Sequence, residues 1–411
     1  MLFVGAGRHQ RRAILRAREL GLCVVAVDGN PEALGLQVAD LPEPVDFRDV
    51  DAVERVARKH RVDGVLTISS DRAVPVVAEV ADRLGLPGIG LQTAIRMTDK
   101  LAMRRALAAR GVPQPRFTAV RTLAEARSAL ADIGLPAVLK PADASGQRGL
   151  ALIADETELG SHFDEAVSRA TTGEAILESF HQGLEVNTLL VARRGEPRLL
   201  TASDRLRPEG RGFGVALTHL YPTSVSGRRL GELEDAARET VRALGLSDGI
   251  AYPQLLVSAD GVRLIEAAAR VPGGQMSELV RHAIDVDLVE VALRQALGQE
   301  ISDDMVAPRL RQPLAIHFLT ACPGSLRPGR LLRVGSLEPL LQLPGVVQAE
   351  TYFTPGETIR PVQVDGDRRG YVIAYGETRE QALERAQQAA AALDVEIEEA
   401  APQTELGSER L

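Results

Sequence analysis

Two lysines and one short glycine-bearing stretch could act together on a polyphosphate. Lys100 opens a helical segment behind Thr98-Asp99, and Lys140 closes the apolar run Val138-Leu139. Directly after it comes Ala144-Ser145-Gly146-Gln147-Arg148-Gly149, where Gly146 and Gly149 let backbone N–H groups turn inward. A triphosphate needs such a setting, because its charge must be offset by cations and aligned N–H dipoles with little help from water. The stretch is not a Walker loop, since no G-x-x-x-x-G-K-[ST] run occurs in the sequence.

Further along, Ile176-Leu177-Glu178-Ser179-Phe180-His181-Gln182-Gly183-Leu184-Glu185 sets two carboxylates on either side of a short connection. That spacing can receive ribose hydroxyls and bring backbone groups edge-on to a base. Leu264-Ile265-Glu266-Ala267-Ala268-Ala269-Arg270 puts a carboxylate on an apolar strand four residues before an arginine, and Gly273-Gly274 lets the backbone approach a ligand. Arg270 follows an apolar run, where desolvating a cation is costly unless an anion meets it. Taken singly, Lys100 and Glu185 read as solvated surface charges rather than as ligand contacts. His219, in an apolar local run, could touch substrate or simply pack.

A partial dinucleotide fingerprint, Gly5-Ala6-Gly7-Arg8-His9-Gln10 with Asp28 at the end of the next strand, opens the chain. Gln10 stands where a third glycine should allow a helix to pack closely on the strand, so a tight strand-to-helix turn without nucleotide is the expectation over NAD binding.

The elements that must position these groups alternate at first. Leu2 to Val4, Leu22 to Val27 and Gly64 to Ser69 are short apolar runs separated by helical spacing, which predicts β-α-β-α-β and a parallel sheet. A helix from about Ala73 to Gly85 follows, and another from Thr98 to about Arg110, stopped by Gly111 and Pro113. Val138 to Lys140 and Leu150 to Ile153 form a hairpin around the glycine-bearing tip. Ala175 to Leu177 and Glu185 to Val191 are strands, and Gly249 to Val257 and Val262 to Ala267 join through Asp260-Gly261. Helices are expected at Ser277 to Ala283 and Leu288 to Leu297. The last hundred residues then turn to strands at Leu314 to Leu319, Val346 to Phe353, Glu357 to Val364 and Gly370 to Tyr375. A final helix is announced by Thr378 and Gln381 as a capping box.

The chain has 411 residues, 45% of them hydrophobic and 25% charged, with 48 basic against 56 acidic side chains and a net charge of -8. That length and composition predict two to four structural units, folded throughout apart from the last few residues. It argues against a nucleic-acid partner, because no dense basic block exists to track a phosphate backbone. No apolar run reaches about 18 residues and no charged segment precedes an apolar one at the start, so no membrane partner and a cytoplasmic protein are expected. Cys23 and Cys322 lack metal-ligand spacing and read as packing thiols.

The order of these segments resembles the ATP-grasp superfamily of carboxylate–amine ligases, over nearly the whole chain. It implies an α/β and α+β architecture, with a Rossmann-like pre-ATP-grasp domain at 1–95 and an ATP-grasp domain at 96–305 whose lid lies at about 113–182. A small C-terminal α+β domain would occupy 306–400, ahead of a polar tail at 401–411. Glu266 to Gly274, Asp204 to Ser224 with His219 and Pro222-Thr223-Ser224, and Asp367-Arg368-Arg369-Gly370-Tyr371-Val372 resemble the L-amino acid ligase branch. By that resemblance Lys100 and Lys140 hold the ATP phosphates, and Ser145, Gly146 and Gly149 lie in the covering loop. Glu178 sits by the adenine and Glu185 on the ribose, and Phe180 is a further nucleotide-binding residue. Glu266 ligates Mg2+, with Mn2+ as a substitute, and Arg270 stabilises the oxyanion, Lys140 sharing in catalysis. Gly273, Gly274 and His219 face substrate.

Two positions depart from the family pattern. Gln254 stands where an acidic metal ligand is usual, and Ala268 where an asparagine is common, so the number of bound metals is undecided. The implied reaction activates a small carboxylic acid, an amino acid among the candidates, as an acyl phosphate and condenses it with an amine. Its partners would be those two small molecules, with a homodimer left open. A formate- or bicarbonate-activating ligase of nucleotide metabolism and a weakly catalytic nucleotide sensor are the alternatives, and an NAD-dependent oxidoreductase is the third.

Overall fold

The computed structural model describes residues 1–144, 146–208 and 212–399, so Ser145 and the expected polar tail 401–411 lie outside the described residues. The chain forms two compact units, Met1–Asp204 with Tyr221–Arg311, and Arg205–Leu220 with Gln312–Leu411. The regions expected at 1–95 and 96–305 thus share the first unit, apart from 205–220, which belongs with the second.

Within the first unit, the N-terminal sheet runs Leu41–Glu43, Val25–Val27, Leu2–Val4, Val65–Leu66, all parallel, with Leu2 opposite both Val25 and Val65. The central strands are covered on both faces, which is why they carry only Leu, Phe, Val and Ala. Helices Arg8–Glu19 and Val50–Lys59 supply crossovers, and Val74–Leu84 follows the last strand. The tight N-terminal turn is closed by the protein's own groups. Ala6 N–H donates to Asp28 Oδ2 at 2.8 Å, Asn30 N–H to Asp28 Oδ1 at 2.9 Å, and Gln10 Nε2 to the Ile68 carbonyl at 2.5 Å. Asp28, which a dinucleotide would need for its ribose, is therefore spent on the turn.

An antiparallel sheet, ordered Phe117–Val120, Ala175–Ser179, Ala137–Pro141, Ala151–Ile153, is packed by helices Leu123–Ile133 and Leu159–Arg169 around Leu139, Ile153, Leu159 and Leu177. Both helices went unanticipated, as did Gly227–Leu244 and the strand Glu196–Leu206.

The third sheet of this unit runs Gly261–Ala268, Gly249–Ser258, Leu184–Arg193, Glu196–Leu206, again antiparallel. One face packs Val186, Leu190, Leu255 and Leu264 against Leu233, Ala237, Val241 and Leu244 of the helix Gly227–Leu244. The other is polar along a row of register partners, Glu266 opposite Gln254, Gln254 opposite Asn187, and Asn187 opposite Ser203. A register shift creates that row. Gln254 pairs with Glu266 but Leu255 pairs with Leu264, leaving Ile265 as an extra residue. Without this bulge Leu264 and Glu266, two apart, would share a face; with it, Leu264 goes to the core and Glu266 to the polar side.

In the second unit, Leu314–Phe318, Gly370–Tyr375 and Val346–Thr351 form an antiparallel sheet, and Ala382, Ala386 and Ala389 of the helix Arg379–Ala391 face its core. Thr378 caps this helix by accepting from Gln381 N–H, whereas Gln381 Oε1 accepts from Glu377 N–H, one residue before the cap. The strand expected at 357–364 is reduced to Thr358–Ile359, paired with Gly329–Val334, which in turn pairs with Val395–Glu399. Cys23 and Cys322 are both exposed and free, correcting the packing expectation. Each precedes its neighbouring strand or follows a bridge in a connecting segment, outside the cores.

Candidate active site

The candidate site is assembled from three parts of the first unit, beginning with the helix Lys100–Ala109. Asp99 caps it by accepting from Ala102 N–H at 2.6 Å, so Lys100 occupies the first turn and its own N–H donates to the Ala142 carbonyl at 2.9 Å. Lys100 is buried rather than a surface charge. Its Nζ donates to the Ala144 carbonyl at 2.7 Å, at the entry to the glycine-bearing tip, and lies 3.4 Å from Glu266 Oε1. Gly146 and Gly149 both have positive φ, +73° and +72°, and a Cβ at Gly149 would stand 3.0 Å from Pro141 Cγ. Gly149 is thus required both by its φ and by its close packing.

Lys140 and Glu178 meet across adjacent strands. Glu178 is opposite Val138, so Lys140 is its diagonal neighbour on the same face, and Lys140 Nζ reaches Glu178 Oε2 at 2.8 Å. Arg104, one helical turn after Lys100, completes the cluster. Its Nε donates to Glu178 Oε1 at 2.7 Å and its Nη2 to Glu178 Oε2 at 3.2 Å. Burial alone would raise the Glu178 pKa, but the Arg104 and Lys140 charges outweigh it and hold the carboxyl down at about 2. Burial lowers the Lys140 pKa, reinforced by Arg104 and Lys100 and opposed by Glu178. The Glu178 carboxylate, expected by the adenine, lies against two buried cations, Arg104 and Lys140.

Arg104 also joins this cluster to the bulge. Its Nη2 donates to the Ile265 carbonyl at 2.6 Å and its Nη1 to the Leu264 carbonyl at 3.3 Å. Those donors hold the segment that turns Glu266 toward Lys100. Lys140, Glu178, Arg104, the 264–265 backbone, Glu266 and Lys100 therefore form one continuous polar network. It holds three cations against two carboxylates, leaving positive charge for an anionic ligand.

Arg270 meets its anion in Asp71, with Nε donating to Oδ1 at 2.7 Å and Nη2 to Oδ2 at 2.8 Å. Burial disfavours the guanidinium charge, but Asp71 raises its pKa overall, with Glu266 contributing. The counter-charge demanded by the sequence is real and comes from the N-terminal region. Gly274, at φ +65°, and Gly273, beside Ser69, follow.

Of the remaining expected residues, Phe180 and Glu185 are half-buried near the end of the Ala175–Ser179 strand and the start of Leu184–Arg193, and Phe180 N–H donates to the Pro136 carbonyl at 3.1 Å. Gln254 is half-buried beside Glu266. His219 belongs to the second unit, where it is buried edge-on to Phe318 with ring centroids 5.5 Å apart, and burial drives its pKa well below the usual imidazole value. Arg104 and Asp71 went unremarked in the sequence. Arg104 could have been found from its i, i+4 relation to Lys100, and Asp71 from its place beyond the carboxyl end of a parallel strand, where such sheets take ligands.

The family described as carbamoyl-phosphate synthase L chain, ATP binding domain, matches residues 99–304, the ATP-grasp N-terminal domain matches 15–88, and the L-amino acid ligase C-terminal domain 2 matches 318–398. The chain belongs to the ATP-grasp carboxylate–amine ligases, enzymes that use ATP to activate a carboxylate and form a carbon–nitrogen bond. It is 28% identical over 411 residues to the uncharacterized protein y4rH of Sinorhizobium fredii, covering 97% of this chain and 83% of that one. It is also 28% identical over 407 residues to a formate-dependent phosphoribosylglycinamide formyltransferase of Nitratidesulfovibrio vulgaris, covering 97% and 96%. In fold it is similar to the crystal structure of an L-amino acid ligase from Bacillus licheniformis, with TM-score 0.82, 19% identity and coverage of 97% and 98%.

Proposed function

We propose that the chain condenses a small carboxylic acid, most specifically an amino acid, with an amine, through an acyl phosphate and with release of ADP and phosphate. The observation that carries this reading is the buried network from Lys140 through Glu178 and Arg104 to Glu266 and Lys100. It presents excess positive charge beside a glycine-bearing tip and one half-exposed carboxylate. The match of residues 318–398 to the L-amino acid ligase C-terminal domain supports an amino acid as the acid.

In this reading Lys100 and Lys140 hold the ATP phosphates and Gly146 and Gly149 let the tip close over them. Glu185 and Phe180 lie toward the nucleoside. A carboxylate oxygen of the acid attacks the γ-phosphorus as the bond to ADP breaks. The amine then attacks the acyl carbon, and phosphate leaves with the transferred oxygen. Catalysis comes from positioning and charge stabilisation, without a side-chain nucleophile. Arg270 stabilises the oxyanion, while Gly273 and Gly274 are the candidates for substrate contact.

The donors facing the polar side of the sheet suit a hard cation, because Glu266 and Gln254 both offer oxygen. Among the described residues no group of three or more His, Cys, Asp or Glu could hold a metal by itself. A magnesium ion carried by the nucleotide fits that set, held by Glu266 and assisted by Gln254, and Mn2+ fits the same donors. Bound there, it would neutralise phosphate charge.

Activation of formate and transfer to a phosphoribosyl amine is the second reading, favoured by the full-length likeness to formate-dependent formyltransferases. A panel of amino acids, formate and bicarbonate against amino acids and other amines, with ATP and Mg2+, separates the two. Phosphate release that requires both an amino acid and an amine, with a product of mass acid plus amine minus water, supports the first. Release with formate alone among the acids supports the second.

A further inference from the structure

The segment after the strand Val65–Leu66 is bound to the strand end that carries Arg270 at three successive points. Ile68 forms a parallel bridge with Val271, Ser69 N–H donates to the Val271 carbonyl at 3.0 Å, and Asp71 takes Arg270 in a bidentate pair. Ser69 holds φ at +60°, a left-handed conformation unusual for a residue with a side chain, and a Cβ at Gly273 would lie 3.6 Å from its own Cβ. The loop is thus fixed against Arg270 by backbone as well as by charge.

The pairing leaves a particular set of donors. A guanidinium has five N–H groups, and Asp71 engages Nε–H and one N–H of Nη2. The remaining Nη2–H and the two N–H groups of Nη1 include the end-on fork, which matches a second carboxylate or a phosphate. Among the described residues, Nη1 makes only a long contact, 3.5 Å, to the Val271 carbonyl. Asp71 itself is partly accessible, with 23% of its side chain exposed.

We propose that Asp71 is a positioning residue for the reaction: it grips the side-on edge of Arg270 and keeps the end-on fork aimed at the acid substrate, while lowering the net positive charge that the substrate meets. The inference rests on the ligase reading for the identity of the anion, and on the geometry alone for the clamp. Neutralising Asp71 leaves an uncompensated guanidinium, which attracts the substrate carboxylate in the ground state but no longer holds it in line for attack.

The test compares wild type, Asp71→Asn and Asp71→Glu, using the acid and amine that support turnover in the panel above. For Asp71→Asn, kcat should fall about 10²-fold, the scale of a misplaced reacting group, while the KM for the acid does not rise and the KM for ATP is unchanged. Asp71→Glu should recover part of kcat. Unchanged kcat, or a KM for the acid that rises as kcat falls, would overturn the proposal. The clamp is also read without turnover, from exchange of the Arg270 Nε–H in protein labelled with 15N-arginine and assigned through Arg270→Lys. Slow exchange in the wild type that becomes fast in Asp71→Asn is expected, and fast exchange in the wild type would overturn the clamp. A wild type with a protected Nε–H but no acid-dependent phosphate release would instead count against the ligase reading.

Discussion

Arg104 and Glu178 form a bidentate ion pair between two fully buried side chains, 2.7 Å at its shortest, and the same guanidinium donates to the two carbonyls at the bulge before Glu266. One buried residue thereby holds both the carboxylate that pairs with Lys140 and the backbone segment that carries Glu266.

Arg104→Met should cost about 3–5 kcal/mol of folding stability, because it leaves the Glu178 charge buried with only Lys140. Arg104→Lys should fall between, keeping the charge but losing the fork. Urea unfolding at neutral pH measures both. Arg104→Lys should also need more Mg2+ for half-maximal activity, since the bulge carbonyls lose their donors. An unchanged metal requirement would separate Arg104 from the orientation of Glu266.

Glu178 gives the protein a definite acid weakness. Its folded pKa of about 2 lies below the ordinary carboxyl value of 4.5, so its contribution is fully present above about pH 4.5 and is lost as pH falls toward 2. That loss is on the order of 3 kcal/mol. Glu178→Gln should lower stability at neutral pH and flatten the decline across this window. A parallel pH–stability slope in the two proteins would contradict the assignment.

Arg270→Ala should abolish product formation while leaving nucleotide affinity intact, because Arg270 is paired to Asp71 rather than to the lysine cluster. Binding of a fluorescent ADP analogue, measured beside turnover, checks both halves. Near-wild-type turnover would remove Arg270 from the catalytic set.

Gln254→Glu adds a second carboxylate directly opposite Glu266. The concentration of Mg2+ needed for activity should fall, as an anionic oxygen binds the ion more strongly than an amide carbonyl. An identical titration would place Gln254 away from the ion.

Much of this site was legible in the sequence because its residues carry local signals. Lys100 begins a capped helix, Gly149 sits where a positive φ is required, and Glu266 lies on an apolar strand before Arg270. What was not legible is pairing across the fold. Glu178 looked like a free acceptor because nothing local discloses that Arg104, 74 residues earlier, reaches it. The bulge at Ile265, which turns Glu266 away from the core, depends on the register with Gly249–Ser258 rather than on composition. Asp71 and Arg270 are separated by 199 residues, and the sequence announced only the need for an anion. The helix Gly227–Leu244 carries an apolar stripe diluted by Arg and Glu, and its hydrophobic partners lie in a distant sheet.

Oxygen transfer tests the central claim most directly. With both carboxylate oxygens of the acid substrate labelled with 18O, activation as an acyl phosphate moves one of them to phosphorus when the amine displaces phosphate. Mass spectrometry should find a single 18O in each released phosphate and the other in the condensed product. Phosphate without label, or ATP cleaved to AMP, would contradict the account.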